Sequence, residues 1–97
     1  MLPKAKRLSS HEVREVLKRG KSLRGKDILA KFLPALSGKA AIVVSSKVAK
    51  TAVLRNRLRR AAYAALPHSL PRCHVVFFIQ SAGVNPRDVT LLCSKLS

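Results

Sequence analysis

The run Lys47-Val48-Ala49-Lys50-Thr51-Ala52-Val53-Leu54-Arg55-Asn56-Arg57-Leu58-Arg59-Arg60 constrains this chain more than any other stretch. It carries six cations and no acid, and it leads into Ala61-Ala62-Tyr63-Ala64-Ala65-Leu66, which is rich in strong helix formers. On a helix, Leu54, Leu58, Ala61, Ala62 and Ala65 fall on one side and form a core-facing stripe. Arg55, Asn56, Arg59, Arg60 and Tyr63 fall on the other. The fold therefore has to bury one side of this helix and present the other. Guanidinium forks match phosphate geometry. The amide can read a base edge or a 2′-hydroxyl, and the phenol can stack or donate. A helix that is merely soluble mixes both signs of charge, so this face predicts an anionic polymer as partner.

The whole chain points the same way. Twenty Lys and Arg against four Asp and Glu give a net charge of +16. Self-repulsion of that size favours an anionic partner. Nucleic acid fits better than a membrane, because the apolar side of the basic helix is mostly small Ala, a poor wedge into lipid. No apolar run is long enough to span a bilayer. The basic start, Met1-Leu2-Pro3-Lys4-Ala5-Lys6-Arg7, is not followed by the apolar segment of a signal peptide. The expectation is a cytoplasmic protein with no membrane partner. Strands on both sides of the basic helix argue against a DNA-binding helix-turn-helix, so DNA is not expected as a partner either.

Chemistry carried by the side chains alone is not expected. Cys73 and Cys93 make no CxxC pair and the His residues lack ligand spacing, so the thiols read as reduced and structural, with no metal site. The only acids are Glu12, Glu15, Asp27 and Asp88. They form no paired-carboxylate pattern, and neither a Ser-His-Asp order nor a phosphate-cradling Gly loop is present. No catalytic residue is assigned.

Ninety-seven residues suit a single domain, 1–97, with 1–8 as a basic, Pro-containing mobile arm. Ser9-Ser10-His11-Glu12 is a capping box opening a helix over 9–19, with Gly20 at its C′ position. Residues 22–33 read as one strand, with a bulge or loop near Arg24 to Lys26, followed by a turn at Pro34 to Gly38. Ala40 to Ser45 reads as a second, β-branched strand, expected to be central and to pair with the first as a hairpin. The basic helix covers 52–66 and is closed by Pro67 and Pro71. Cys73 to Gln80 is a third strand, apolar almost throughout and hence buried on both faces. Asn85-Pro86-Arg87-Asp88 starts a last helix over 86–96. The order α-β-β-α-β-α predicts an α+β fold, an α/β sandwich of three helices against a small mixed sheet.

From Lys47 to Arg60 the chain resembles the protein component of bacterial ribonuclease P. The Arg-Asn-Arg core, preceded by Ala-Val and followed by an apolar residue and two cations, is that family's signature. The element order fits over almost the full length. The resemblance implies a fold similar to domain 2 of ribosomal protein S5, with a left-handed βαβ crossover that the usual right-handed rule would not suggest. It implies an RNA-binding subunit of an endoribonuclease, with the catalytic ribonuclease P RNA and precursor tRNA as partners. Together protein and RNA would remove the 5′ leader from precursor tRNA, the RNA doing the chemistry. Mg²⁺ would be held by the RNA and the substrate, none by protein side chains alone, and the protein alone would be inactive.

Carried over residue by residue, the resemblance implies RNA contacts at Lys47, Lys50, Arg55, Asn56, Arg57, Arg59 and Arg60. It implies a leader cleft between the first helix and the sheet, bordered by Val13, Leu17 and Lys31. The family often has aromatic residues at those three places; this chain has two aliphatics and a Lys. Gln80 stands where a cation is usual, Ser46 where Lys is common and Ala41 where Gly is, and the chain stops earlier than typical members. The competing class is a structural RNA-binding protein of ribosomal type with no processing role. Charge and fold would look alike; the Lys47–Arg60 signature separates the two.

Overall fold

The computed structural model describes residues 6–25, 27–66 and 72–96. Among them run α1 (Ser10–Arg19), β1 (Lys21–Gly25), β2 (Ile28–Pro34), β3 (Lys39–Val44), α2 (Ala52–Ala64), β4 (Cys73–Ile79) and α3 (Arg87–Leu96). The strands form one sheet in the order β1-β2-β4-β3. β1 with β2 and β2 with β4 are antiparallel, whereas β3 lies parallel to β4. The sheet is therefore mixed, and β3-α2-β4 is its βαβ unit. The prolines expected to close the basic helix, Pro67 and Pro71, lie outside the described residues, as does the outer part of the 1–8 arm. At the arm's inner end Arg7 bridges Ala40, and the Leu8 N–H donates to the Ala40 carbonyl at 3.4 Å.

Three strand expectations are corrected. Residues 22–33 are not one strand but the two arms of a tight hairpin, with Gly25 opposite Ile28. The chain reverses through Asp27, which adopts φ 59°. Asp tolerates this left-handed conformation better than most residues. The Asp27 carbonyl accepts from the Gln80 N–H at 2.9 Å, which ties the turn to the end of β4. The element order is consequently α-β-β-β-α-β-α. The second correction is that β2 and β3 do not pair: β4 is inserted between them. The third is that β3 lies at the edge and β4 takes the interior. β4 carries the bulkier apolar run, Val75 to Ile79 with two Phe, and Val75, Val76 and Phe77 are all fully buried. A strand covered on both faces needs that continuity; a short β-branched strand does not have to be central.

The two sheet faces have different covers. Ile28, Ala30, Ala40, Ile42, Val44, Cys73, Val75, Phe77 and Ile79 form the main core with Ala62 of α2 and Val89, Leu92 and Cys93 of α3. The opposite face carries α1, which packs on β2 and β4 through the fully buried Val16. Both thiols are free and buried. Burial pushes both thiols above their ordinary pKa, Cys93 to about 11 with Cys73 as a further, electrostatic cause.

α1 begins as the capping box requires. The Glu12 N–H donates to Ser9 Oγ at 3.2 Å and the Ser9 N–H donates to Glu12 Oε1 at 2.9 Å. Its end differs from the expectation. Gly20 is extended (φ −77°, ψ 159°), not left-handed. Glycine is needed there for proximity: a Cβ would lie 2.4 Å from the Val16 carbonyl oxygen and 2.8 Å from that of Phe32. At the other side of the molecule, Thr90 Oγ1 donates to the Ala65 carbonyl at 2.6 Å, satisfying an orphan acceptor at the end of α2. Asn85 Oδ1 accepts from the Arg87 N–H at 3.0 Å, as expected of a cap for α3.

Candidate nucleic-acid interface

α2 is entered through Thr51, whose hydroxyl accepts from the Leu54 N–H at 3.2 Å. Its first turn holds no acid. The positive end of the helix dipole therefore adds to Lys47, Lys50, Arg55 and Arg57 instead of being offset by carboxylates. Among the described residues, none of the three ion pairs involves a cation of α2 or of the loop before it. Two of the four acids are paired elsewhere, Glu15 with Arg19 at 3.6 Å and Glu12 with Lys39 at 2.9 Å. α2 and the loop before it therefore present an electropositive surface.

The apolar stripe sits on the core as its phase predicts. Ala62 is buried, while Leu54, Leu58, Ala61 and Ala65 are half-buried. The polar side is less uniform than expected. Asn56, Arg57 and Arg60 are exposed, together with Lys47 and Lys50 of the preceding loop, and Arg59 is half-buried. Two members of the expected polar band turn inward. Tyr63 is half-buried against the core, and its hydroxyl accepts from the Ile42 N–H on the β3 edge at 3.3 Å. Arg55 is half-buried and folds back, donating from Nη1 to the Ala49 carbonyl at 3.0 Å. Ala49 is itself buried and its N–H donates to the Ser45 carbonyl. Arg55 thus braces the loop that carries Lys47 and Lys50. A helical wheel cannot reveal this, because the acceptor belongs to the segment before the helix.

Asn56, Arg59, Arg60 and Tyr63 recur at helical spacing and line a pocket of about 240 Å³. A neighbouring hollow is lined by Val53, Asn56, Arg57 and Arg60. The Asn56 Oδ1 accepts from Arg59 Nη1 at 3.4 Å.

On the other side of the sheet, register places side chains in rows across the strands. Leu33, His74 and Lys39 form one row, Ser22, Lys31, Val76 and Ala41 the next, and Arg24, Leu29, Phe78 and Val43 the third. α1 crosses the first row, where Glu12 Oε2 accepts from Lys39 Nζ at 2.9 Å and lies 3.6 Å from His74 Nε2. The capping hydrogen bond from the Ser9 backbone, and then Lys39, lower the Glu12 pKa to about 2. In the third row Leu29 and Phe78 are half-buried and Val43 is 37% exposed. Of the cleft residues proposed from sequence, Lys31 lies in the middle row, Val13 is half-buried and Leu17 is 40% exposed. Phe78 was missed. The α1 side of the sheet has an aromatic ring supplied by β4 and not by α1 or β2. Strict alternation along Cys73 to Ile79 puts Phe78 opposite in sense to Phe77, and that was the available signal.

Among the described residues no group of three or more His, Cys, Asp or Glu side chains could hold a metal ion. No described helix is long and apolar enough to cross a membrane.

The Ribonuclease P family model matches residues 2–96. The fold is similar to that of the RNase P protein of Staphylococcus aureus, with TM-score 0.76 and 17% identity, covering 96% of this chain and 93% of that one. It is also similar to the RNase P protein of Thermotoga maritima, with TM-score 0.72 and 19% identity, covering 94% and 97%. At these identities the structural likeness concerns the fold. No curated protein sequence matches the chain.

Proposed function

The chain belongs to the Ribonuclease P family, and from that premise we propose that it is the RNA-binding subunit that acts with the catalytic RNA to remove the 5′ leader from precursor tRNA. The observation that carries this reading is the α2 surface. Exposed cations surround a helix start that has no acid in its first turn and no ion-pair partner among the described residues. Such a surface is self-repelling until phosphates meet it.

Two surfaces divide the work. Lys47, Lys50, Asn56, Arg57, Arg59 and Arg60 contact the catalytic RNA, with Arg55 holding the Lys47–Lys50 loop in place. On the α1 side of the sheet, Val13, Leu17 and Lys31 border the leader cleft and Phe78 lies on its floor. Lys31 draws the leader phosphates, while Phe78 offers one face to an unstacked base.

The reacting Mg²⁺ is held by RNA and substrate. The α2 surface consists of cations and N–H donors, a set that repels a divalent metal and suits its phosphate ligands. The protein's part is to bind, to screen RNA–RNA repulsion and to hold the leader, and alone it cleaves nothing. Reconstitution tests this. Mixed with a bacterial ribonuclease P RNA at low Mg²⁺, the protein should restore leader removal from precursor tRNA. Protein freed of RNA should leave the substrate intact. Tight binding to the RNA with no gain in processing would instead favour a purely structural RNA binder.

A further inference from the structure

We propose that the Tyr63 pocket of α2 receives a single unpaired nucleobase, while the adjoining hollow takes the phosphate next to it; this rests on the RNA-binding role given to the same helix. The pocket has an aromatic wall and, around it, groups with hydrogens to give. Its volume, about 240 Å³, is below the range of about 300–1,000 Å³ usual for drug-sized ligands and suits one ring system. Tyr63 is fixed, because its hydroxyl is tied to the Ile42 N–H and it packs against the core. The Asn56 amide oxygen accepts from Arg59, and its NH₂ supplies two further donors. Arg59 and Arg60 can only donate.

The occupant must therefore combine a flat apolar face with hydrogen-bond acceptors on its edge. An unpaired base has both. A base inside an A-form duplex can show an edge in the shallow minor groove, but it has no free face, since both of its faces are stacked. A phosphate alone needs no aromatic wall. The neighbouring hollow, lined by Val53, Asn56, Arg57 and Arg60, has none and shares Asn56 and Arg60 with the base pocket. Base and phosphate of one nucleotide can thus be held across that shared pair, with Arg60 between them.

The test compares two ligands of equal charge: a single-stranded RNA of about ten nucleotides, within the usual site size, and the same sugar-phosphate strand without bases. Affinities are measured by fluorescence anisotropy with the full chain carrying Phe78→Leu, so that the cleft floor offers no ring. The base-bearing strand should bind about tenfold more tightly than the abasic one. Tyr63→Leu should remove that preference. Asn56→Leu, at an exposed position that packs on nothing in the core, should reduce it several-fold even if Tyr63→Leu fails to fold. Equal affinity for the two strands, or a preference that survives Asn56→Leu, overturns the proposal and leaves α2 a phosphate-only surface. Failure of the subunit role would appear separately, as loss of leader processing in the reconstituted enzyme.

Discussion

Glu12 does more than one acidic residue normally does in so basic a chain. It closes the capping box of α1, accepts from Lys39 and faces His74, so it joins three elements. Its pKa is lowered from 4.5 to about 2. A carboxyl depressed in the folded state stabilises the fold fully above its unfolded value, and that contribution is lost as the pH falls towards the folded value. Glu12→Gln should therefore lower Tm at pH 7, and the gap to wild type should close between pH 4.5 and pH 2. Thermal melts across that window check it; a gap independent of pH would show that the charge contributes nothing. Arg55 illustrates the opposite case, a cation whose first task is internal. Arg55→Ala should weaken RNA binding through the loop, so its effect should couple with that of Lys47→Ala by about 0.5–3 kcal/mol in a double-mutant cycle. Arg60→Ala and Lys47→Ala should add independently. Additivity in both pairs would make Arg55 an ordinary phosphate contact.

The junction between α1 and β1 is where one element sets the position of another. Gly20 lets the end of α1 lie against the backbone of β2, with no room for a Cβ. Gly20→Ala should cost about 1–3 kcal/mol, the usual range for overpacking, because both atoms it meets belong to the main chain and cannot rotate away. Chemical denaturation reads this as a lower midpoint with an unchanged slope. Since α1 borders the proposed leader cleft, the same variant should reduce discrimination between precursor and mature tRNA more than it reduces affinity for the catalytic RNA. An equal loss of both would mean that the cleft does not depend on how α1 is seated. β4 is the counterpart in the sheet. Phe77 is fully buried in the main core, and Phe77→Ala should cost about 3–5 kcal/mol in the same experiment.

Across the whole molecule the net charge is +16, and α2 and α1 lie on opposite faces of one sheet. Binding to the catalytic RNA should weaken steeply with salt, and Arg57→Ala or Arg60→Ala should each lessen the slope of log K against log salt by about 1. Affinity that is flat between low and moderate salt would contradict phosphate contact by α2. The proposed leader cleft should respond differently. Lys31→Ala should lower leader affinity whatever the leader sequence, because an ammonium reads charge and not base identity. Phe78→Leu should cost up to about 1–3 kcal/mol at the one leader position that stacks on it. Competitive cleavage of precursors with randomised leaders separates the two. A preference at one position that Phe78→Leu leaves intact would remove Phe78 from the cleft's function.

Local chemistry was legible in the chain itself. The capping box at Ser9 and Glu12, the apolar stripe of the basic helix, the nearly continuous apolar run of β4 and the Asn85 cap all depend on neighbours a few residues apart, and each appears where its spacing places it. The cationic surface was legible for the same reason: no acid occurs between Lys47 and Arg60, so nothing nearby in the chain could neutralise it. What depends on distant partners was not. Insertion of β4 between β2 and β3 follows from which strand must be covered on both faces, a competition among all the strands at once. Phe78 lies beside Leu29 on the α1 side of the sheet, Tyr63 is drawn to the Ile42 N–H and Arg55 to the Ala49 carbonyl only because the fold brings those partners within reach. Periodicity decides which way a side chain points relative to its own helix or strand, whereas packing decides what it meets there.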